Sequence, residues 1–199
     1  MPAMRRPPLL LPCCVLLLSI ASAPAPAERF ELDPDHSVVA FTIGHVGFSN
    51  VLGRFTEVGG GFDYDEDRLL LENLVVTVGT ASVDTDHAAR DEHVRKADFL
   101  DVKRHPEMVF RVERATLRDG DGGPVEGTLE LLGTTLPLTL EVSVNRSADY
   151  PFGHERYTHG ISASGTLARS DYGMDYGVAN GLVGDEVTLI IETEAPRAE

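Results

Sequence analysis

The sequence predicts a mainly β domain: an antiparallel barrel or sandwich of about eight strands with one helical excursion over residues 86–103. Three observations predict it. Apolar and polar residues alternate with period two along most of the chain after residue 36. Gly- and Asp-rich turn signals separate the alternating runs. One charged, helix-permissive stretch interrupts them.

In chain order, Val39, Phe41 and Ile43 give the first clear alternation. Gly59-Gly60-Gly61 signals a bulge or sharp coiling, because glycine accepts backbone angles closed to other residues. After a charged turn at residues 63–68, residues 70–78 are nearly all apolar and rich in β-branched side chains, which reads as a strand covered on both faces. In residues 86–103 Asp84 or Asp86 is the expected helix cap, and Pro106 ends the helical region. Met108, Phe110 and Val112 alternate with Arg111 and Glu113, and the Asp-Gly pairs of residues 119–123 mark a hairpin. Leu136, Leu138, Leu140, Val142 and Val144, interleaved with Pro137, Thr139, Glu141, Ser143 and Asn145, form the clearest half-buried strand. Val187, Leu189 and Ile191 close the series.

The N-terminal segment is read separately. Arg5 and Arg6 precede an apolar run over residues 9–20, followed by small Ala residues up to Ala27, the order of a secretory signal peptide. Residues 1–27 are therefore expected to be a leader and 28–199 one folded domain in a periplasmic or secreted protein. Both cysteines, Cys13 and Cys14, fall in the leader, so the domain has no disulfide, thiolate or Cys-zinc chemistry. The full chain carries 17 Lys+Arg against 32 Asp+Glu, a net −15. Without the leader the balance is 15 against 32, or −17. Such acidity argues against nucleic acid and against residence on anionic membranes.

Several catalytic-looking motifs fail on spacing. Asp63, Asp65 and Asp67 begin like a calcium loop, but Arg68 and Leu74 stand where the turn glycine and closing acid belong. His154 and His159 are one residue too far apart for a helical zinc pair, and Gly160-Ile161-Ser162-Ala163-Ser164 lacks the final glycine of a nucleophile elbow. No metal site and no catalytic residue is assigned. Arg90-Asp91 and Arg169-Ser170-Asp171 each combine a guanidinium with a carboxylate. They read either as ion pairs pinning the helix to the barrel or as the polar mouth of a ligand site.

Asp33-Pro34-Asp35-His36-Ser37, Phe41-Thr42-Ile43-Gly44-His45-Val46-Gly47-Phe48-Ser49 and Gly53-Arg54-Phe55 resemble the opening of the YceI-like, polyisoprenoid-binding family. Arg90-Asp91-Glu92-His93-Val94, His105-Pro106-Glu107-Met108-Val109-Phe110 and Arg169-Ser170-Asp171-Tyr172-Gly173-Met174 continue the likeness in order over residues 29–195. Phe30 stands where the family often has Trp, and Tyr172 replaces a frequent Phe. The resemblance implies a lipocalin-like barrel holding a long isoprenoid lipid, such as a quinone or polyprenyl chain, in a homodimer without enzymatic activity and with no cofactor beyond that lipid. On this reading the apolar wall comprises Phe41, Phe48, Phe55, Phe99, Phe110, Leu138, Leu140, Val142 and Val187. The polar mouth comprises Arg90, Asp91, Arg169, Asp171 and Tyr172. The implied role is sequestration or transport, with no nucleic-acid partner and no stable membrane insertion. The alternative is a hydrolase-like enzyme acting on a lipid or small molecule with His, Arg and Asp groups near the mouth.

Overall fold

The computed structural model describes residues 27–118, 120 and 122–199. The expected leader, with both cysteines, lies outside the described residues except for Ala27. Among the described residues, eleven strands form one antiparallel sheet. They are β1 (Glu28–Glu31), β2 (Val38–His45), β3 (Ser49–Phe55), β4 (Val58–Asp65), β5 (Leu70–Gly79), β6 (Val83–Asp84), β7 (Glu107–Thr116), β8 (Gly122–Leu131), β9 (Thr134–Asp149), β10 (Tyr157–Ala168) and β11 (Val183–Pro196). The order across the sheet is β1-β4-β5-β7-β8-β9-β10-β11-β2-β3-β6. Among the described residues one α-helix, α1 (Ala88–Val94), follows β6, inside the stretch the sequence marks.

The sheet curls into a lipocalin-like barrel. Its first strand lies along β4 on one side, while Phe30 bridges to Arg197 just past β11 on the other. The Ala198 amide donates to the Arg29 carbonyl and the Asp33 amide to the Glu194 carbonyl, both at 2.8 Å. These bonds draw the barrel shut at one end, called the base below. At the opposite end, the mouth, lie the β2–β3 hairpin, α1 and residues 174–184. The mouth is held by backbone bonds such as Val46 N–H to the Leu182 carbonyl at 3.0 Å.

Local chemistry explains the curl. Register slips between Gly61 and Asp63 on β4, where Gly60 adopts φ +133°. A Cβ on Gly60 would sit 2.0 Å from the Val75 carbonyl oxygen, so only glycine lets β4 and β5 approach there. Inward residues meet in one core that includes Phe30, Phe62, Phe110, Val125, Leu138 and Leu140. On β5 the outward Val75 and Thr77 are half-buried, so that face is covered only in part.

Two expectations are corrected. The described residues hold eleven strands where about eight are expected; two of the additional ones, β1 and β6, span four and two residues, too short to show an alternation. The cap of α1 is His87, whose side chain accepts from the Arg90 amide, in place of Asp84 or Asp86. Asp86 sits one residue too early, at φ +60°, with its own amide donating to Asp84.

Candidate functional site

Running through the barrel is a cavity of about 670 Å³, within the range of sites that hold small molecules. Its wall is the inward face of nearly every strand, because period-two alternation on a curled sheet delivers every second side chain to the interior. Phe41, Phe55, Phe99, Phe110, Leu138, Leu140, Val142 and Val187 all lie on it. Polar groups cluster toward the ends: His45, His87, Arg90 and His93 at the mouth, Tyr64 and His159 at the base.

Phe48 is not on the wall. It stands 92% exposed beyond the tip of the β2–β3 hairpin. Phe41, Ile43 and His45 share the inward parity and line the cavity. Phe48 is out of phase with them and follows the turn at Val46 and Gly47, both at positive φ.

Among the polar mouth residues, Arg90 and Arg169 line the cavity, and Asp91, Asp171 and Tyr172 do not. Neither guanidinium pairs with its sequence-neighbouring carboxylate. Arg90 donates through Nε to the Thr85 hydroxyl at 2.8 Å and through Nη2 to the Thr85 carbonyl at 2.7 Å. Asp91 is buried and accepts from the Thr85 amide at 2.8 Å and from its hydroxyl at 2.5 Å. Thr85 thus joins the two residues and anchors the start of α1. Asp171 is exposed, and Tyr172 is packed into the core beside the cavity.

Arg169 is 1% exposed. Its Nε donates to the Gly184 carbonyl and Nη1 to that of Met174. Nη2 reaches the carbonyls of Tyr176 and Val183. The guanidinium also lies 5.8 Å from the Phe99 ring centroid, a cation–π distance. Arg169 is therefore a clamp on the 174–184 segment. Beside it Asp185 accepts from the Ser170 amide and hydroxyl, and these bonds hold its carboxyl below the usual range. An aromatic triad finishes the closure: His93, Phe99 and Tyr176 have ring centroids 5.1–5.2 Å apart, joining the helical excursion to that segment.

His159 is the principal base residue missed at the level of sequence, although its parity with Ile161 and Ala163 points it inward. Its side chain is 4% exposed and packs among Phe30, Phe62, Tyr64 and Tyr157. Nδ1 is 2.7 Å from the Ser147 hydroxyl. Nε2 has no hydrogen-bond partner, and the Glu66 carboxylate stands 3.6 Å away. Burial pushes the imidazole pKa down; Glu66 and Glu28 oppose that shift. The sign follows directly. Below the unfolded-state value of about 6.5, the unfolded chain takes up a proton that the folded chain resists, so stability falls as pH drops from there toward the lower folded value. Urea unfolding at pH 7.5 and 5.5 should show a shallower loss on acidification for His159→Phe than for the parent chain. Equal losses would contradict the assignment.

Other motifs are absorbed by structure. Asp65 accepts from the Arg68 amide, and Asp63 from Asn73 and Arg29, so both side chains serve the β4–β5 region.

Fold and site together define a barrel protein built around an apolar, ligand-sized cavity. The chain belongs to the YceI-like family: the model of the YceI-like domain matches residues 30–195. It is 36% identical over 179 residues to protein YceI of Escherichia coli O157:H7, covering 90% of this chain and 91% of that one. The crystal structure of Campylobacter jejuni YceI superposes with a TM-score of 0.70 at 29% identity, covering 78% of this chain and 90% of the other. A polyisoprenoid-binding domain from Saccharophagus degradans shares the fold at a TM-score of 0.60 and 14% identity, over 86% and 99% of the two chains.

Proposed function

We propose that this protein is an exported carrier that holds a polyisoprenoid, or a similar long-chain amphiphile, inside the barrel for sequestration or transport. The observation that carries the reading is the cavity itself, about 670 Å³ of space walled by aliphatic and aromatic side chains with polar groups toward its ends. A slender isoprenoid matches that chemistry: each methylene-sized unit moved from water into such a wall gains about 0.8 kcal/mol. The polyisoprenoid-binding description of the Saccharophagus degradans domain supports the same ligand class. Holding such a chain needs no catalytic group. Arg90, which a hydrolytic reading would use, is engaged by Thr85. The leader-like residues 1–27 support a periplasmic or secreted location, and the family resemblance adds an expected homodimer.

Native mass spectrometry of freshly purified protein, followed by solvent extraction, tests the reading. The expected result is an adduct that survives purification and extracts as an isoprenoid or other long-chain lipid. Protein that is repeatedly lipid-free, and that takes up no added polyprenol or isoprenoid quinone, would overturn it.

A further inference from the structure

The mouth differs from the rest of the surface in two independent respects. Val46, Phe48, Tyr176 and Leu182 are large apolar residues exposed by 41–92%. They lie on two segments joined by the Val46–Leu182 backbone bond. Scattered exposed hydrophobes are ordinary, but a connected group marks a contact surface. Three of the four, Val46, Tyr176 and Leu182, also line the cavity, so the exposed patch is continuous with the apolar interior.

The second respect is charge. In a chain of net −15, residues 36–53 and 176–184 contain no Asp, Glu, Lys or Arg. An acidic body is repelled by a phospholipid surface that is itself anionic. The hairpin and the 176–184 segment, free of formal charge, meet least of that repulsion. Aromatic side chains such as Phe48 and Tyr176 suit the boundary between head groups and acyl chains.

We propose that this rim docks transiently on a phospholipid bilayer, seating Phe48 among the head groups and opening a dry path between membrane and cavity. The proposal rests on the carrier reading for its purpose. Its physical basis is the patch, its continuity with the cavity and the absence of formal charge on the two segments that carry it. An amphiphile passing through bulk water would expose its apolar chain; a rim sunk in the interface avoids that step.

Flotation of the full domain with vesicles of phosphatidylethanolamine and phosphatidylglycerol tests it. Phe152 supplies a control, since it is 66% exposed on the loop between β9 and β10, at the base. Phe48→Asp is expected to reduce the vesicle-bound fraction at least tenfold and to slow lipid transfer to vesicles, with an unchanged thermal midpoint. Phe152→Asp is expected to leave both readouts at the parent level. Absence of vesicle binding by the parent chain, or equal loss in both variants, overturns the proposal. So does light scattering in which Phe48→Asp turns a dimer into a monomer while vesicle binding stays intact, because the patch would then be a contact between copies. Vesicle binding is read on protein with and without extractable lipid. A failure of docking is thereby distinguished from a failure of the carrier reading.

Discussion

Replacing Arg169 by Met is expected to cost about 3–5 kcal/mol of folding stability. The side chain is 1% exposed and donates to four carbonyls, at 2.6 Å (Met174), 2.7 Å (Tyr176), 2.7 Å (Gly184) and 3.2 Å (Val183). Methionine fills much of the volume but supplies no donor; a carbonyl left unpaired where it is buried, as at Met174, costs about 1–3 kcal/mol, and the part-buried ones at Tyr176, Val183 and Gly184 cost less. Part of that is offset because the variant no longer buries a charge, which keeps the estimate below the simple sum. Against a typical total of about 5–15 kcal/mol the loss is severe. Urea unfolding measures it, and limited proteolysis localises it: cleavage should begin within residues 174–184, the segment the guanidinium ties down. Arg169→Lys should recover only part of the stability, since a point-like ammonium cannot span the fan of carbonyls that a planar fork reaches. An unchanged unfolding midpoint in Arg169→Met would show that the four bonds contribute nothing net.

How much of this was legible in the sequence depends on the range over which each feature is encoded. Strand parity is local, so Leu138, Leu140 and Val142 fall on the cavity wall where alternation puts them. The helical excursion is also local, and α1 lies inside residues 86–103. Phe48 illustrates the opposite case. Family likeness and apolarity assign it to the wall, yet parity counted from Phe41 places it out of phase, and the turn after His45 carries it into solvent. Arg169 and Asp171 look like an ion pair because they are near in sequence. The guanidinium's partners are instead carbonyls of an irregular segment and the start of β11, which no residue pattern announces. Asp91 was equally hidden, because its partner is a backbone amide six residues earlier. His159 shares its parity with Ile161 and Ala163, but beside His154 it reads as half of a failed helical zinc pair, which hides its place on a strand.

Ala163→Trp is expected to empty the barrel of lipid without unfolding it, and its energetics separate a ligand cavity from an ordinary core. Ala163 on β10 pairs across the sheet with Val142 on β9, and both line the cavity. An indole at this position projects into open apolar space, where it gains dispersion contacts that the unfilled cavity lacks. In a filled core the same insertion would force neighbours off their rotamers at about 1–3 kcal/mol or more. Val83 supplies that comparison: it is 0% exposed, sits on β6 away from the cavity wall, and Val83→Trp should be strongly destabilised. The expected contrast is therefore twofold. Ala163→Trp keeps or raises the thermal midpoint while lipid recovered by solvent extraction falls at least tenfold; Val83→Trp lowers the midpoint sharply. If Ala163→Trp unfolds as readily as Val83→Trp, the barrel interior is packed core. If it retains lipid at the parent stoichiometry, the ligand lies outside the β9–β10 wall. Either outcome would displace the cavity from its role as the site, because tolerance of the added ring and exclusion of the ligand have to occur together.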